Sequence, residues 1–170
     1  MLVRRTRVTV FLIVLTLVVA TALSARAEGR VCASEPDLAA AKKAVAAVAR
    51  EFGSRLKLVS LLAPEDVLRR DIEEHFVDLV TPELLNKWLD DPTAAPGRLT
   101  SSPWPECIAV DEVKLDGTTR AWVRGHIVWV TSVELAEGGA YAHQAVCMEL
   151  VRDEHGAWRI HKVCIAAWDD

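Results

Sequence analysis

The sequence lacks the patterns by which much enzymatic and metal chemistry is recognised. It has no His-Glu-Xaa-Xaa-His, no Gly-Xaa-Ser-Xaa-Gly, no glycine-rich phosphate loop and no EF-hand loop, so no motif points to a zinc protease, a nucleophile-elbow hydrolase, a P-loop enzyme or a calcium sensor. None of its four cysteines stands in a Cys-Xaa-Xaa-Cys pair, which removes the thioredoxin-like and zinc-ribbon readings. The five histidines, His75, His126, His143, His155 and His161, have no persuasive ligand spacing, and neither a metal nor another cofactor is expected. A basic excess is missing too. The formal net charge is −4, and an acidic chain repels phosphate backbones, so nucleic acid is not an expected partner. Long charge runs and low-complexity tracts are also absent.

What is present begins with an export pattern. Arg4, Arg5 and Arg7 precede an apolar stretch from Val8 to Leu23, and Ala25 and Ala27 follow at the spacing a signal peptidase reads. The expectation is a signal segment over 1–27, cleaved after Ala27, and an exported, extracellular or envelope protein. The alternative is an uncleaved N-terminal anchor, for which the apolar stretch is short against the ~20 residues of a spanning helix. Cys32 follows Gly29-Arg30-Val31, which does not suit lipid attachment. Cleavage leaves 143 residues, the size of one domain, and removes four arginines and no acid. Sixteen basic residues then face twenty-four acidic ones, a net −8. Residues 28–35 read as an arm and 36–170 as a single domain.

Ser34-Glu35-Pro36-Asp37 is a helix start: a capping hydroxyl, a proline suited to the first turn and an acid favoured by the dipole. Leu38, Ala41, Val45, Val48 and Phe52 then recur at helical spacing. Gly53 ends or weakens that helix. Ala63-Pro64-Glu65-Asp66 breaks the chain and restarts a helix through Leu68, Ile72 and Phe76, and Thr81-Pro82-Glu83 caps a third through Trp88. Helices therefore occupy about 36–89. Residues 90–105, with Pro92, Pro96, Gly97, Pro103 and Pro105, read as a long loop.

The remainder, 106–168, reads as four antiparallel strands in a meander, with turns at Asp116-Gly117, Gly138-Gly139 and Asp153-Glu154-His155-Gly156. Centring each turn places Ile108 opposite Gly125, Val110 opposite Val123, Ile127 opposite Leu150, Trp129 opposite Met148, and Met148 opposite Val163. All then share one face, as strict alternation requires of a consistent register. The same register sets Arg152 against Arg159, a conflict that a bulge near the last turn would relieve.

Cys147 comes opposite Cys164 in this register, and Glu149 opposite Lys162. Opposed strand cysteines bridge where the pair lacks mutual hydrogen bonds. The expected disulfides are Cys147–Cys164 and, by remainder, Cys32–Cys107; the alternative is that the thiols stay reduced. The other sheet face carries Val113, Trp122, Val128, Val130, Val151, Trp158 and Ile160 among charges. An outer face that apolar suggests a partner surface. Homodimerisation through Trp122, Val128, Val130, Val151 and Ile160 is the expectation, with cover by the proline-rich loop or the C-terminal tail as the alternative.

The ending Met148-Glu149-Leu150-Val151-Arg152-Asp153-Glu154-His155-Gly156-Ala157-Trp158-Arg159-Ile160 and the segment Thr81-Pro82-Glu83-Leu84-Leu85 resemble the NTF2-like, or cystatin-like, α+β superfamily. The resemblance covers roughly Asp37 to Ile165. It implies three N-terminal helices packed on a bent four-stranded meander that forms a cone. That superfamily holds isomerases, dehydratases, epoxide hydrolases and cyclases beside non-enzymatic binding modules, so fold does not choose among them.

Two function classes follow. One is an exported, non-enzymatic ligand- or partner-binding domain. For it, Trp129 and Met148 are candidate walls of a pocket for an apolar small molecule, or else plain core. Trp104, between Pro103 and Pro105, is a plug over the cone mouth or a partner contact. The other class is a small-molecule isomerase or lyase in which Glu106 and His161, inward-facing in this register, act as general acid and base. Its alternative is that both are solvated rim groups.

Overall fold

The computed structural model describes residues 34–168, so the expected signal segment, its cleavage site after Ala27 and Cys32 lie outside the described residues. Ser34 caps helix α1 (Glu35–Arg55): its hydroxyl accepts the Asp37 N–H, and the Asp37 carboxylate accepts the Ser34 N–H in return, satisfying two donors at once. Gly53 does not end this helix. It lies where α1 presses on the sheet, and a Cβ there would stand 2.4 Å from the backbone nitrogen of Ile108. Helix α2 (Glu65–Phe76) follows Pro64. Helix α3 (Pro82–Asp90) is capped by Thr81, whose hydroxyl accepts the Leu84 N–H. Phe52, Phe76 and Trp88 tie the three together, with ring centroids 4.9, 5.6 and 6.2 Å apart.

The fold is α+β: among the described residues, four α-helices and an open four-stranded antiparallel sheet, β1 (Trp104–Asp116), β2 (Arg120–Val130), β3 (Ala142–Arg152) and β4 (Trp158–Ile165), in the order β1-β2-β3-β4. The fourth helix, α4 (Ser132–Glu137), lies between β2 and β3, where the sequence reading continued the strand. Thr131 and Glu134 form its capping box, the Glu134 carboxylate accepting the Thr131 N–H at 2.9 Å. The stretch 90–105 is less irregular than expected: Pro92–Ala94 forms a short 3₁₀ turn and β1 begins at Trp104.

The register differs from the expected one at each hairpin, for identifiable reasons. The first turn spans Gly117–Thr119 rather than two residues, and β1 carries bulges at Glu106 and Asp111. Ile108 therefore pairs with Ile127, while Val113 pairs with Val123 and turns inward. In the second hairpin α4 takes up chain, so Ile127 pairs with Gln144, six residues from its expected partner Leu150. Six is even, and alternation keeps every side chain on its expected face. The third hairpin holds the expected pairs from Val146↔Ile165 to Glu149↔Lys162. An extra residue, His161, then bulges from β4, and Leu150 pairs with Ile160.

That bulge corrects the outer-face assignment. It inverts the strand before it, so Ile160 and Trp158 turn into the core at 0% and 6% exposure. The inner face carries Val123, Ile127, Val146, Met148 and Leu150, none more than 2% exposed, beneath the helices. The outer edge of β4 is covered by the segment before α3: Thr81 donates its N–H to the Ile160 carbonyl at 2.8 Å, and Ile160 donates to Leu79 at 2.9 Å. Covering an edge strand in this way removes a template for unwanted pairing. Among the described residues no helix is long and apolar enough to cross a membrane.

Candidate functional site

One end of the sheet is formed by the start of β1, the end of β2, the start of β3 and the end of β4. Trp129 points inward there, next to last in β2, opposite Pro105 and Ala142. Its indole N–H donates to the Gln144 Oε1 at 3.2 Å. The Gln144 amide in turn donates to the Ala166 carbonyl at 2.7 Å, which holds the chain beyond β4 against β3. Trp168 in that tail meets Trp129 with ring centroids 5.1 Å apart.

The opposite wall comes from the proline-rich loop. Leu61 donates its N–H to the Arg98 carbonyl at 3.0 Å, and Arg98 donates to Val59 at 2.9 Å. A Cβ on Gly97 would fall 2.5 Å from the Val59 carbonyl oxygen, so glycine permits this close approach. Between the walls lies a half-open pocket of about 150 Å³, lined chiefly by Leu61, Leu99, Ile127, Trp129, Ile165 and Trp168, with Gln144 its one polar non-aromatic side chain. A second cavity of about 200 Å³ shares Pro96 and Ile165 with it and reaches Trp88 and Val163. Loop and tail thus both serve the inner side of the sheet.

The sequence candidates distribute unevenly around this pocket. Trp129 lines it. Met148 is core, opposite Val123 and Val163. Trp104 is no plug: it is the first residue of β1, paired with Val130, and its indole N–H donates to Glu106 at 2.8 Å. A tryptophan drawn into a ladder on the outer face cannot also cover the inner mouth; Trp168 stands there instead. Trp168 and the Leu61–Leu99 wall were missed by sequence reasoning. The signal for the wall was Pro96-Gly97, a point of close backbone approach.

Glu106 and His161 are not brought together. They sit on β1 and β4, the two edges of the sheet with two strands between. Glu106 occupies a bulge and receives a hydrogen bond from the Lys57 ammonium at 2.7 Å. Partial burial pushes its carboxyl up, but the bonds from Lys57 and Trp104 and the Lys57 charge outweigh burial and hold it below the usual glutamate range. A carboxyl so held stays ionised and serves poorly as a proton donor near neutrality. His161, in the β4 bulge, has its Nδ1 3.4 Å from the Thr81 hydroxyl. Neither lines the pocket.

The outer face is an ion-pair lattice more than an apolar patch. Glu149, only 5% exposed, lies between Arg120 at 3.4 Å and Lys162 at 3.1 Å, and Glu112 meets Arg124 and Lys114, each at 3.2 Å. Of the five expected dimer residues, Ile160 is in the core and Val130 is 3% exposed. Val128 and Val151 are half-buried, and Trp122 alone stands out at 46%.

Cys107, Cys147 and Cys164 carry free thiols. The expected opposition of Cys147 and Cys164 is present, but the bond is not, and the strand geometry accounts for it. Ala166 donates its N–H to the Ala145 carbonyl at 2.9 Å, so those two form a hydrogen-bonded pair. Two residues on in an unbroken register, Cys147 and Cys164 form another, the kind in which side chains stand farther apart. The Cys107 thiol, on the outer face opposite Val128, is pushed up by burial and then by the Glu106 charge; its expected partner Cys32 is outside the described residues. No family model, curated protein or solved structure matches the chain.

Proposed function

We propose that this chain is an exported, non-enzymatic binding domain of the NTF2-like cone type, and that it takes a small apolar, planar molecule at the open end of its sheet. The observation that carries the reading is the pocket between Trp129 and the Leu61–Leu99 wall. Its lining is mostly apolar, with one amide to orient a polar edge, which is the usual composition of a small-molecule site. Apolar cavities of this volume hold a benzene-sized guest. The helix-covered meander is the arrangement an NTF2-like cone requires, and the signal-like N-terminus carries the export part of the reading. The isomerase or lyase alternative has less behind it, since its acid and base stand at opposite sheet edges and, among the described residues, the pocket lining offers no carboxylate.

Titration of the purified protein with indole, followed by chemical-shift changes, tests the reading. Saturable shifts confined to the Trp129, Gln144 and Trp168 neighbourhood are expected, with dissociation constants of about 10 μM to 1 mM, or roughly 4–7 kcal/mol. Leu61→Trp, which fills the space, should abolish them while the melting temperature is kept. Shifts that never saturate, or that persist unchanged in Leu61→Trp, would sink the assignment.

A further inference from the structure

We propose that Cys147 and Cys164 form a two-thiolate site for a soft monovalent metal ion, of which Cu(I) is the biological representative. The two residues face one another across β3 and β4 in a register that runs unbroken from Val146↔Ile165 to Glu149↔Lys162. Both are exposed and both thiols are free, on the face of the sheet away from the helices.

The backbone geometry favours a bridged pair over a direct bond. In a hydrogen-bonded antiparallel pair the Cα atoms stand ~5.5 Å apart and the side chains do not converge. A disulfide needs Cβ atoms ~3.8 Å apart and sulfurs ~2.05 Å apart; the Cα spacing allows this, but the Cβ atoms of such a pair start ~5.5 Å apart, so the side chains would have to tilt toward one another. Two metal–sulfur bonds, each of the order of the ~2.3 Å of a zinc thiolate, span up to ~4.6 Å between the sulfurs, a separation that side chains standing side by side reach without moving the ladder.

Donor number and type choose the ion. Thiolates select soft metals, while carboxylate and carbonyl oxygens suit hard ones. No group of three or more His, Cys, Asp or Glu that could hold a metal occurs among the described residues. Zinc, which takes four ligands in a structural site, is therefore not served, whereas d¹⁰ Cu(I) and Ag(I) accept two sulfurs in a line. Binding is exchange without redox change. Two S–H bonds break, their protons pass to water, two S–metal bonds form, and the complex carries one negative charge. The surrounding charges are balanced: Arg124, opposite Cys147 on β2, is paired with Glu112, and Lys162, two residues before Cys164 in β4, is bonded to Glu149.

The test uses the full purified chain, reduced and kept under anaerobic conditions, titrated with Ag(I) and with Cu(I) buffered by a bicinchoninate-type chelator. One tightly held ion and a thiolate-to-metal absorption band are expected in the wild type and in Cys107→Ser. Cys147→Ser and Cys164→Ser should each lose the band and at least 100-fold in affinity, with melting temperatures unchanged because both side chains are exposed. Three outcomes would overturn the site: no competition with the chelator, equal binding by Cys147→Ser/Cys164→Ser, or peptide mapping that finds a Cys147–Cys164 disulfide which excludes the ion after mild oxidation.

Discussion

At the scale of single residues, charge and hydrogen bonding decide what the candidate groups can do. Glu106 shows this best. A carboxyl held below its unfolded pKa contributes stability that is present above the unfolded value, near 4.5, and is lost as pH falls through the folded one. Thermal melts from pH 7 to pH 3 should show this loss in the wild type, and Glu106→Gln should remove part of the acid slope; an unchanged slope would show that the Lys57 pairing does not survive in solution. Thr81 works differently. It caps α3 and its backbone N–H reaches β4, so Thr81→Ala should cost about 1 kcal/mol through the cap alone, read as a shift in urea midpoint. Trp158 leaves its buried indole N–H without a partner, under the Arg152 guanidinium 5.5 Å from the ring.

At the scale of elements, close approach and bulges position everything else. Gly53→Ala would drive a methyl group into the backbone of Ile108. Overpacking of this kind costs roughly 1–3 kcal/mol, and backbone gives less readily than a side-chain tip, so a value at or above the top of that range is expected by chemical denaturation. The His161 bulge is as consequential. Deleting His161 would restore strict alternation, turning Ile160 and Trp158 back toward solvent. Large apolar side chains are worth about 1.5–3 kcal/mol each on burial, so the deletion should leave little folded protein by circular dichroism. His161→Ala, which keeps the extra residue, should fold. The same elements show where sequence reasoning stopped. The caps at Ser34 and Thr81 were legible because they depend on three or four neighbouring residues. The cap Thr131-Ser132-Val133-Glu134 carried the same signature and was read through as strand, since apolar residues continue into Val133 and Leu135.

At the scale of the whole molecule, one core joins three helices to the inner sheet face, with the aromatic trio Phe52, Phe76 and Trp88 at its helical end. Phe76→Ala should destabilise the domain by about 3–5 kcal/mol, lowering the urea midpoint with a single cooperative transition. Two separate transitions would mean that the helices and sheet do not share that core. The pocket is also a property of the whole. Its walls come from a loop before the sheet, from β2 and β3, and from the tail after β4, segments as far apart as Leu61 and Trp168. Trp129 could be suspected from its phase in β2, but no local pattern links Pro96-Gly97 to Val59, or Trp168 to Trp129.

The sequence by itself determined the order of the first three helices and the four strands, two of the helix caps, the inward set Ile127, Trp129, Val146, Met148 and Leu150, and the opposition of Cys147 to Cys164. Each depends on short-range chemistry or on alternation, which survives any register slip by an even number of residues. Only the tertiary structure decided the slips, the bulges at Glu106 and Asp111, the inward turn of Ile160 and Trp158, and the separation of Glu106 from His161; a bulge near the last turn was signalled by Arg152 facing Arg159, but its place at His161 was not. A clash in the register can signal that a residue is inserted, but its position is set by which side chains the helices need beneath them, and that requirement exists only once distant segments pack.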